Sequence, residues 1–347
     1  MPDTKTFLLI LRTLAIGLVG AFAFHLMGLP AAFMSGALVF VALAALAGVQ
    51  VQMPVGVRNA AFYLAGTFFG TTVTEDTVSS LTAWPFSIAA LACSLILIMT
   101  VIPRYLERVH GYDRETSILS SVPGALSYVL ALALDRGADV RRITIVQTSR
   151  LTCLIVLLPL VFGLFKEITP LGTTTEEPLR WTEIAAIYAI AGASIFAAAR
   201  LNIPAPYFSG PFFAIGALFR LGVFQGALPV YLFWPALAGL GSVIGVRFAG
   251  IDLAMLKSGA LAGLGSTAIG LAIAGGLAVP VSYWLDLPLL QLLLAFAPGG
   301  IDALTVVAFS LGADPAFVAG HQMLRFIGLN LCLPFAAKWF GFDTPQG

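Results

Sequence analysis

Apolar runs of about 20 residues, separated by short polar or Pro- and Gly-containing stretches, recur along the whole chain. That is the length an α-helix needs to cross roughly 30 Å of hydrocarbon. The runs fall at about 7–27, 30–49, 55–73, 84–103, 115–134 and 140–165, then at about 183–200, 204–221, 228–248, 258–285, 288–311 and 315–340. The pattern predicts an all-α polytopic membrane protein. Composition agrees, with 59% of the 347 residues hydrophobic, 10% charged and a mean hydropathy of +0.97. A soluble domain carries about 25% charged residues. The first run, Phe7 to Met27, is long enough to span and another follows at once, so no cleaved leader is expected. Cys93, Cys153 and Cys332 lie inside apolar runs and suggest no disulfide framework. A net charge of +1 provides no basic surface for nucleic acid.

Sliding the chain against itself gives one recurring offset. Pro123, Gly124, Gly137, Asp139, Gln147, Arg150 and Pro159 fall on Pro298, Gly299, Gly312, Asp314, Gln322, Arg325 and Pro334, each 175 residues later. Gly66 and Gly70 fall on Gly241 and Gly245 by the same offset. Upstream it slips to 174, laying GLPAAFMSG at 28–36 over NIPAPYFSG at 202–210. These are polar, Gly and Pro matches, not shared Leu and Ala. The expected organisation is a first transmembrane repeat at 1–165, a polar linker at 166–182 and a second repeat at 183–347. Internal repeats of this kind mark secondary transporters.

Charge decides the expected topology. If 115–134 crosses, Arg136, Arg141 and Arg142 sit outside, against the positive-inside rule. If it dips in and returns, they are cytoplasmic, as are Arg58, Arg247 and both termini, and the linker is external. The preferred reading is two inverted repeats with about ten transmembrane helices. Two further segments are re-entrant or broken, at Pro123-Gly124 and Pro298-Gly299. Twelve spans in parallel repeats remain the alternative.

A Pro-Gly pair cannot continue a helix, because Pro lacks the N–H and clashes with the preceding turn. Irregular backbone at membrane depth is tolerated only where protein or a water-filled cavity surrounds it. A break repeated in SVPGALS and APGGIDA therefore points to a binding feature, against the alternative of a packing kink. Ser121, Gly124, Ser127 and Gly299 are the candidate solute contacts beside it. Asp302 is the candidate coupling group, since a carboxylate beside freed carbonyls suits a proton or Na⁺. Neutralising Arg325 is its other reading.

After each break, Asp139 and Asp314 occupy positions suited to helix N-caps. Further on, Gln147 with Arg150 and Gln322 with Arg325 are spaced by three, so each pair shares one helix face. Each arginine lies about 16 Å along its helix, near the midplane, where a charge is expensive. Arginine's fixed fork of donors suits an anionic solute. The alternative is an arginine locked to a carboxylate or to carbonyls freed by the break. The glycine pairs predict close helix contacts, and Ser35 and Ser209 are repeat-matched hydroxyls.

SVPGALSYVLALALDRGADVRRITIVQTSR and APGGIDALTVVAFSLGADPAFVAGHQMLR resemble the duplicated signature of the bacterial AbrB-like membrane proteins, over essentially the whole chain. Members of that family are labelled as ammonia monooxygenases or membrane regulators, and it is distinct from the DNA-binding regulator of the same name. The resemblance carries onto Pro123, Gly124, Gln147 and Arg150, and onto Pro298, Gly299, Asp302, Gln322 and Arg325. The first copy departs at Ser127, where the second has Asp302. The oxygenase label finds no support in the residues. Copper prefers imidazole and soft sulfur, and His25, His110 and His321 share no ligand spacing.

The sequence thus predicts a non-enzyme with no cofactor and no metal, set in the inner membrane of a bacterium and in contact with the lipid bilayer. Its expected function is secondary transport of a small anionic solute, coupled to a proton or sodium gradient. A membrane sensor that binds a ligand without moving it is the alternative, and assembly into a homo-oligomer is left open.

Overall fold

In the computed structural model the chain is described over residues 4–73, 84–124, 126–163, 177–203, 205–251 and 253–339. Within these the side chains of residues 127, 128, 253–255, 258, 302 and 330–339 lie outside the description. The linker falls largely outside it as well.

The first half of the chain forms α1 (Thr4–Leu26), α2 (Ala32–Leu46), α3 (Val55–Gly70), α4 (Trp84–His110), α5 (Arg114–Ser121), α6 (Leu126–Arg136) and α7 (Val140–Gly163). The second forms α8 (Trp181–Arg200), α9 (Pro206–Arg220), α10 (Trp234–Gly245), α11 (Leu253–Leu285), α12 (Leu289–Phe296), α13 (Ile301–Ser310) and α14 (Pro315–Trp339). Short 3₁₀ turns flank α10. Among the described residues there is no strand, only one isolated bridge between Pro178 and Ala227.

Six described helices are long and apolar enough to cross a membrane: α1, α4, α7, α8, α11 and the Val230–Phe248 segment around α10. Many of their large apolar side chains face outward, among them Phe7, Leu8, Ile96, Phe196 and Leu261. An apolar exterior of this kind is what a lipid-facing surface requires. The chain is a multi-pass membrane protein. By contrast α2, α3 and α9 have only 15 or 16 residues.

The two halves do not form separate bodies. Helices α1–α3 pack with α8–α10, and α4–α7 pack with α11–α14. Glycine permits the closest of these approaches. A Cβ at Gly66 would strike the Phe208 carbonyl oxygen on α9, and one at Gly241 would strike the Met34 carbonyl oxygen on α2. These are the same contact in the two halves, and substitution at either needs backbone to move.

Two local irregularities have direct causes. Within α7 a π turn at Cys153–Leu157 lets the Leu158 N–H reach back to Cys153. It lies just before Pro159, which has no N–H to give and displaces the preceding turn. Ala31 and Ala205, each just before a short helix, are held at φ 51, a left-handed conformation that costs an L-residue about 1–2 kcal/mol. Ser35 and Ser209 each bond back to the carbonyl of that alanine at 3.0 Å.

Candidate functional site

The site begins with two helices too short to cross. Asp113 caps α5, its carboxylate accepting the Thr116 N–H at 2.8 Å. Burial alone would raise the Asp113 pKa, but the Thr116 hydrogen bonds and the charge of Arg142 outweigh it and hold the group below the usual aspartate value. The helix stops after eight residues because Pro123 follows and Gly124 turns to φ 85, a region that favours glycine. The chain then reverses through α6.

The two ends of this segment meet. The Asp139 N–H donates to Thr116 Oγ1 at 2.9 Å, and the Arg142 guanidinium lies 4.8 Å from the centre of the Tyr112 ring. Asp139 itself caps α7, accepting from the N–H groups of Arg141 and Arg142. In the other half α12 also has eight residues and ends before Ala297, Pro298 and Gly299, and Asp314 caps α14 through the N–H groups of Ala316 and Phe317.

A helix end leaves its last carbonyls without donors. Here α7 and α14 supply them. Gln147 Nε2 donates to the Leu119 carbonyl at 3.1 Å, and Arg150 donates to the carbonyls of Ser121 (3.4 Å) and Val122 (3.0 Å). Gln322 Nε2 reaches the carbonyls of Leu294, Ala295 and Ala297 at 2.9–3.3 Å. Arg325 donates to Ala297 at 2.6 Å and to Gly299. In both halves the glutamine and the arginine reach a carbonyl 28 residues earlier. The arginine forks thus hold the broken backbone in shape.

They keep something in reserve. Arg150 and Arg325 are 1% and 5% exposed, yet the Nε of each has no hydrogen-bond partner, and neither does Gln322 Oε1. Both arginines and both glutamines line one cavity of about 490 Å³, together with Pro123, Gly124 and Gly299. The two breaks face each other across it, since a Cβ on Gly124 would lie 3.8 Å from the Gly299 carbonyl oxygen. The N-terminal ends of α6 and α13 both begin at this meeting point, bringing the positive ends of two helix dipoles together.

Other groups of interest fall elsewhere. The Ser121 hydroxyl is turned away, donating to the Ile118 carbonyl at 2.7 Å, so this residue meets the site through its carbonyl. Pro298 packs on α11, where a Cβ at Gly270 would come 2.6 Å from its ring. The side chains of Ser127 and Asp302 lie outside the described residues. Arg58 and Arg247, which the sequence offers only as orientation charges, stand on the cavity wall with Asn59 and Tyr207. The buried Nε of Arg58 also has no partner. Among the described residues no carboxylate lines the cavity.

Sequence comparison now gives the lineage. The family described as "Transition state regulatory protein AbrB" matches residues 33–341. The chain belongs to the AbrB family. It is 25% identical over 343 residues, 94% of each chain, to "Putative regulator AbrB" of Escherichia coli (strain K12). It is 27% identical to "Uncharacterized protein YhjN" of Bacillus subtilis (strain 168) over 269 residues, 72% of this chain and 69% of that one. Neither of these AbrB relatives is named as an enzyme.

Proposed function

We propose that the protein is a secondary transporter for a small anionic solute in the inner membrane of a bacterium. The observation that carries this reading is the cavity between the two helix breaks. It is walled by Arg58, Arg150, Arg247 and Arg325 with no described carboxylate among its lining residues. Buried arginine is costly, and one N–H on each of three of them has no acceptor among the described residues. An anion seated between the tips would be held by the guanidinium charges and by the N-terminal ends of α6 and α13.

The topology that fits is two inverted repeats, 1–165 and 183–347, crossing about ten times. The segments 113–138 and 288–313 enter and return on opposite sides. In that arrangement Arg58 and Arg247 mark the cytoplasmic end, so the cavity opens inward. Cysteines placed singly at 137 and 174, in a chain without the native three, test it with an impermeant thiol reagent. Labelling from outside is expected at 174 and not at 137, and the reverse overturns the inversion.

The transport reading is tested in two steps. A thermal-shift screen of organic acids, amino acids and inorganic anions on the purified protein identifies a stabilising solute. Uptake of that solute into proteoliposomes under a proton or sodium gradient then separates transport from sensing. The name of the Escherichia coli relative favours a second reading, a regulator in which the same cavity binds a ligand and drives no flux. Binding without uptake would establish that second reading. Asp302 remains the coupling residue suggested by its place beside the break. Asp302→Asn is expected to retain binding and lose gradient dependence.

A further inference from the structure

His321 lies on α14 one residue before Gln322 and four before Arg325, and the site above makes no use of it. It is fully buried. Its Nδ1 is 3.0 Å from the Phe317 carbonyl oxygen, and its Nε2 is 2.8 Å from Ser87 Oγ on the first turn of α4. Ser87 Oγ in turn lies 3.1 Å from the Trp84 carbonyl oxygen. The imidazole stacks on Phe317 and leans against Trp84, with ring centres 4.1 Å and 5.0 Å apart.

The repeat reveals what packing alone requires at this crossing. By the 175-residue offset Ser87 corresponds to Ala262 and His321 to Val146. Those two are buried in one apolar cluster where α7 meets α11. Beside them the same two positions are filled in opposite order. A Cβ on Gly320 would meet Trp84, and one on Gly259 would meet Ile145. Val and Ala therefore suffice for this crossing. The α4–α14 crossing carries an imidazole and a hydroxyl instead, at a depth where polar groups are rare and functional.

The hydrogen bonds indicate what the exchange provides. A carbonyl only accepts, so the Nδ1–H donates to Phe317 whether the ring holds one proton or two. In the neutral ring Nε2 accepts the Ser87 O–H. In the charged ring the Nε2–H donates to Ser87 Oγ, and the hydroxyl swings its proton to the Trp84 carbonyl. One hydroxyl rotation thus satisfies both states with every heavy atom in place. The surrounding charges are sparse. On α4 the charged and titratable groups Arg104, Tyr105, Glu107, Arg108 and His110 lie toward its far end, and Cys93, six residues on from Ser87, is exposed. On α14 the nearest is Arg325, about 6 Å along the axis. Helix α12 has Gln291 and no charge, and α13, which packs on α14, carries Asp302, whose side chain is outside the described residues.

We propose that His321, with Ser87 as its rotating partner, is a proton-binding site linked to the anion cavity through Arg325. A proton gained there places a second positive charge one helical turn from the arginine, so proton and anion each favour the other's binding. The linkage rests on the anion site proposed above; the proton site does not.

The test uses the full-length purified protein. Trp84 emission, isolated as the difference between wild type and Trp84→Phe, is titrated over about pH 4–8, the range in which histidines change charge. A protonated imidazole against the indole quenches it, so emission is expected to fall in acid. The comparison variant is His321→Val with Ser87→Ala, the pair the other half already uses. It is expected to melt as wild type does and to show no such titration. Ser87→Ala alone serves as the second variant: it keeps the ring, removes the hydroxyl that serves both states, and is expected to move the midpoint. A flat wild-type titration overturns the proposal, as does one that survives in the double variant. Affinity for the stabilising anion is then measured at two pH values and is expected to rise in acid for wild type only. If the titration holds and no anion binds, the anion reading fails and the proton site stands. If the anion binds equally at both pH values in wild type, the linkage is overturned.

Discussion

Arg325→Met is expected to destabilise the detergent-solubilised protein by about 1–3 kcal/mol, the cost of a buried carbonyl left without its donor. The Gly299 carbonyl loses the arginine that bonds it, while the Ala297 carbonyl keeps the Gly299 N–H at 2.9 Å and the 3.3 Å contact from Gln322. The loss should appear as a lowered melting temperature without any ligand present. Arg325→Lys should recover only part of it, since an ammonium is a single point of charge and cannot reproduce a planar fork spanning two carbonyls. Arg150→Met should behave in the same way through Ser121 and Val122. Anion binding should vanish in both Met variants, because the tips that carry the N-terminal ends of α6 and α13 are no longer held. A melting temperature equal to wild type would show that these arginines do not hold the breaks.

Arg58→Gln should do the opposite. Its Nε–H has no partner among the described residues, and Arg58 lines the cavity from a helix start that Pro54 and backbone bonds already fix. The ligand-free protein should melt as wild type does. Affinity for the stabilising anion should fall about 10- to 100-fold, the equivalent of one charged hydrogen bond of roughly 1.5–3 kcal/mol. A thermal-shift titration measures both quantities in one series. Unchanged affinity would remove Arg58 from the site. The two substitutions together separate an arginine that shapes the cavity from one that faces its content.

Much of this was legible in the sequence because it rests on chemistry that few residues can supply. A Pro-Gly pair inside an apolar run has few structural uses, and a charge at midplane needs a reason. Asp139 and Asp314 read as caps because N-capping depends on a short oxygen-bearing side chain at one position. What stayed hidden depends on neighbours distant along the chain. The partners of Gln147 and Arg150 are backbone carbonyls, and a carbonyl leaves no mark in a sequence. Arg58 and Arg247 looked like ordinary orientation charges because the helix ends that carry such charges are also where a cavity mouth forms. In the sequence His321 reads as a metal-ligand type without companions at ligand spacing. Its partner Ser87 is 234 residues away, beyond any local spacing rule.

The interleaving of the two halves has a consequence for how the molecule comes into being. When the first 163 residues have been made and inserted, Gly66 and Gly70 on α3 still lack the α9 surface they are shaped to meet, and α2 lacks α10. The first hairpin is closed early, since α7 follows it directly and brings Gln147 and Arg150. The bundle around α3 has to wait for residues 206–220 to emerge. Assembly is therefore staged: local clasps form during synthesis, and the long-range crossings form only after most of the second half is in the bilayer. A chain built this way offers half-made helix surfaces to its neighbours during that interval. Pairing with the wrong copy, one molecule's α3 against another's α9, is the error this architecture invites.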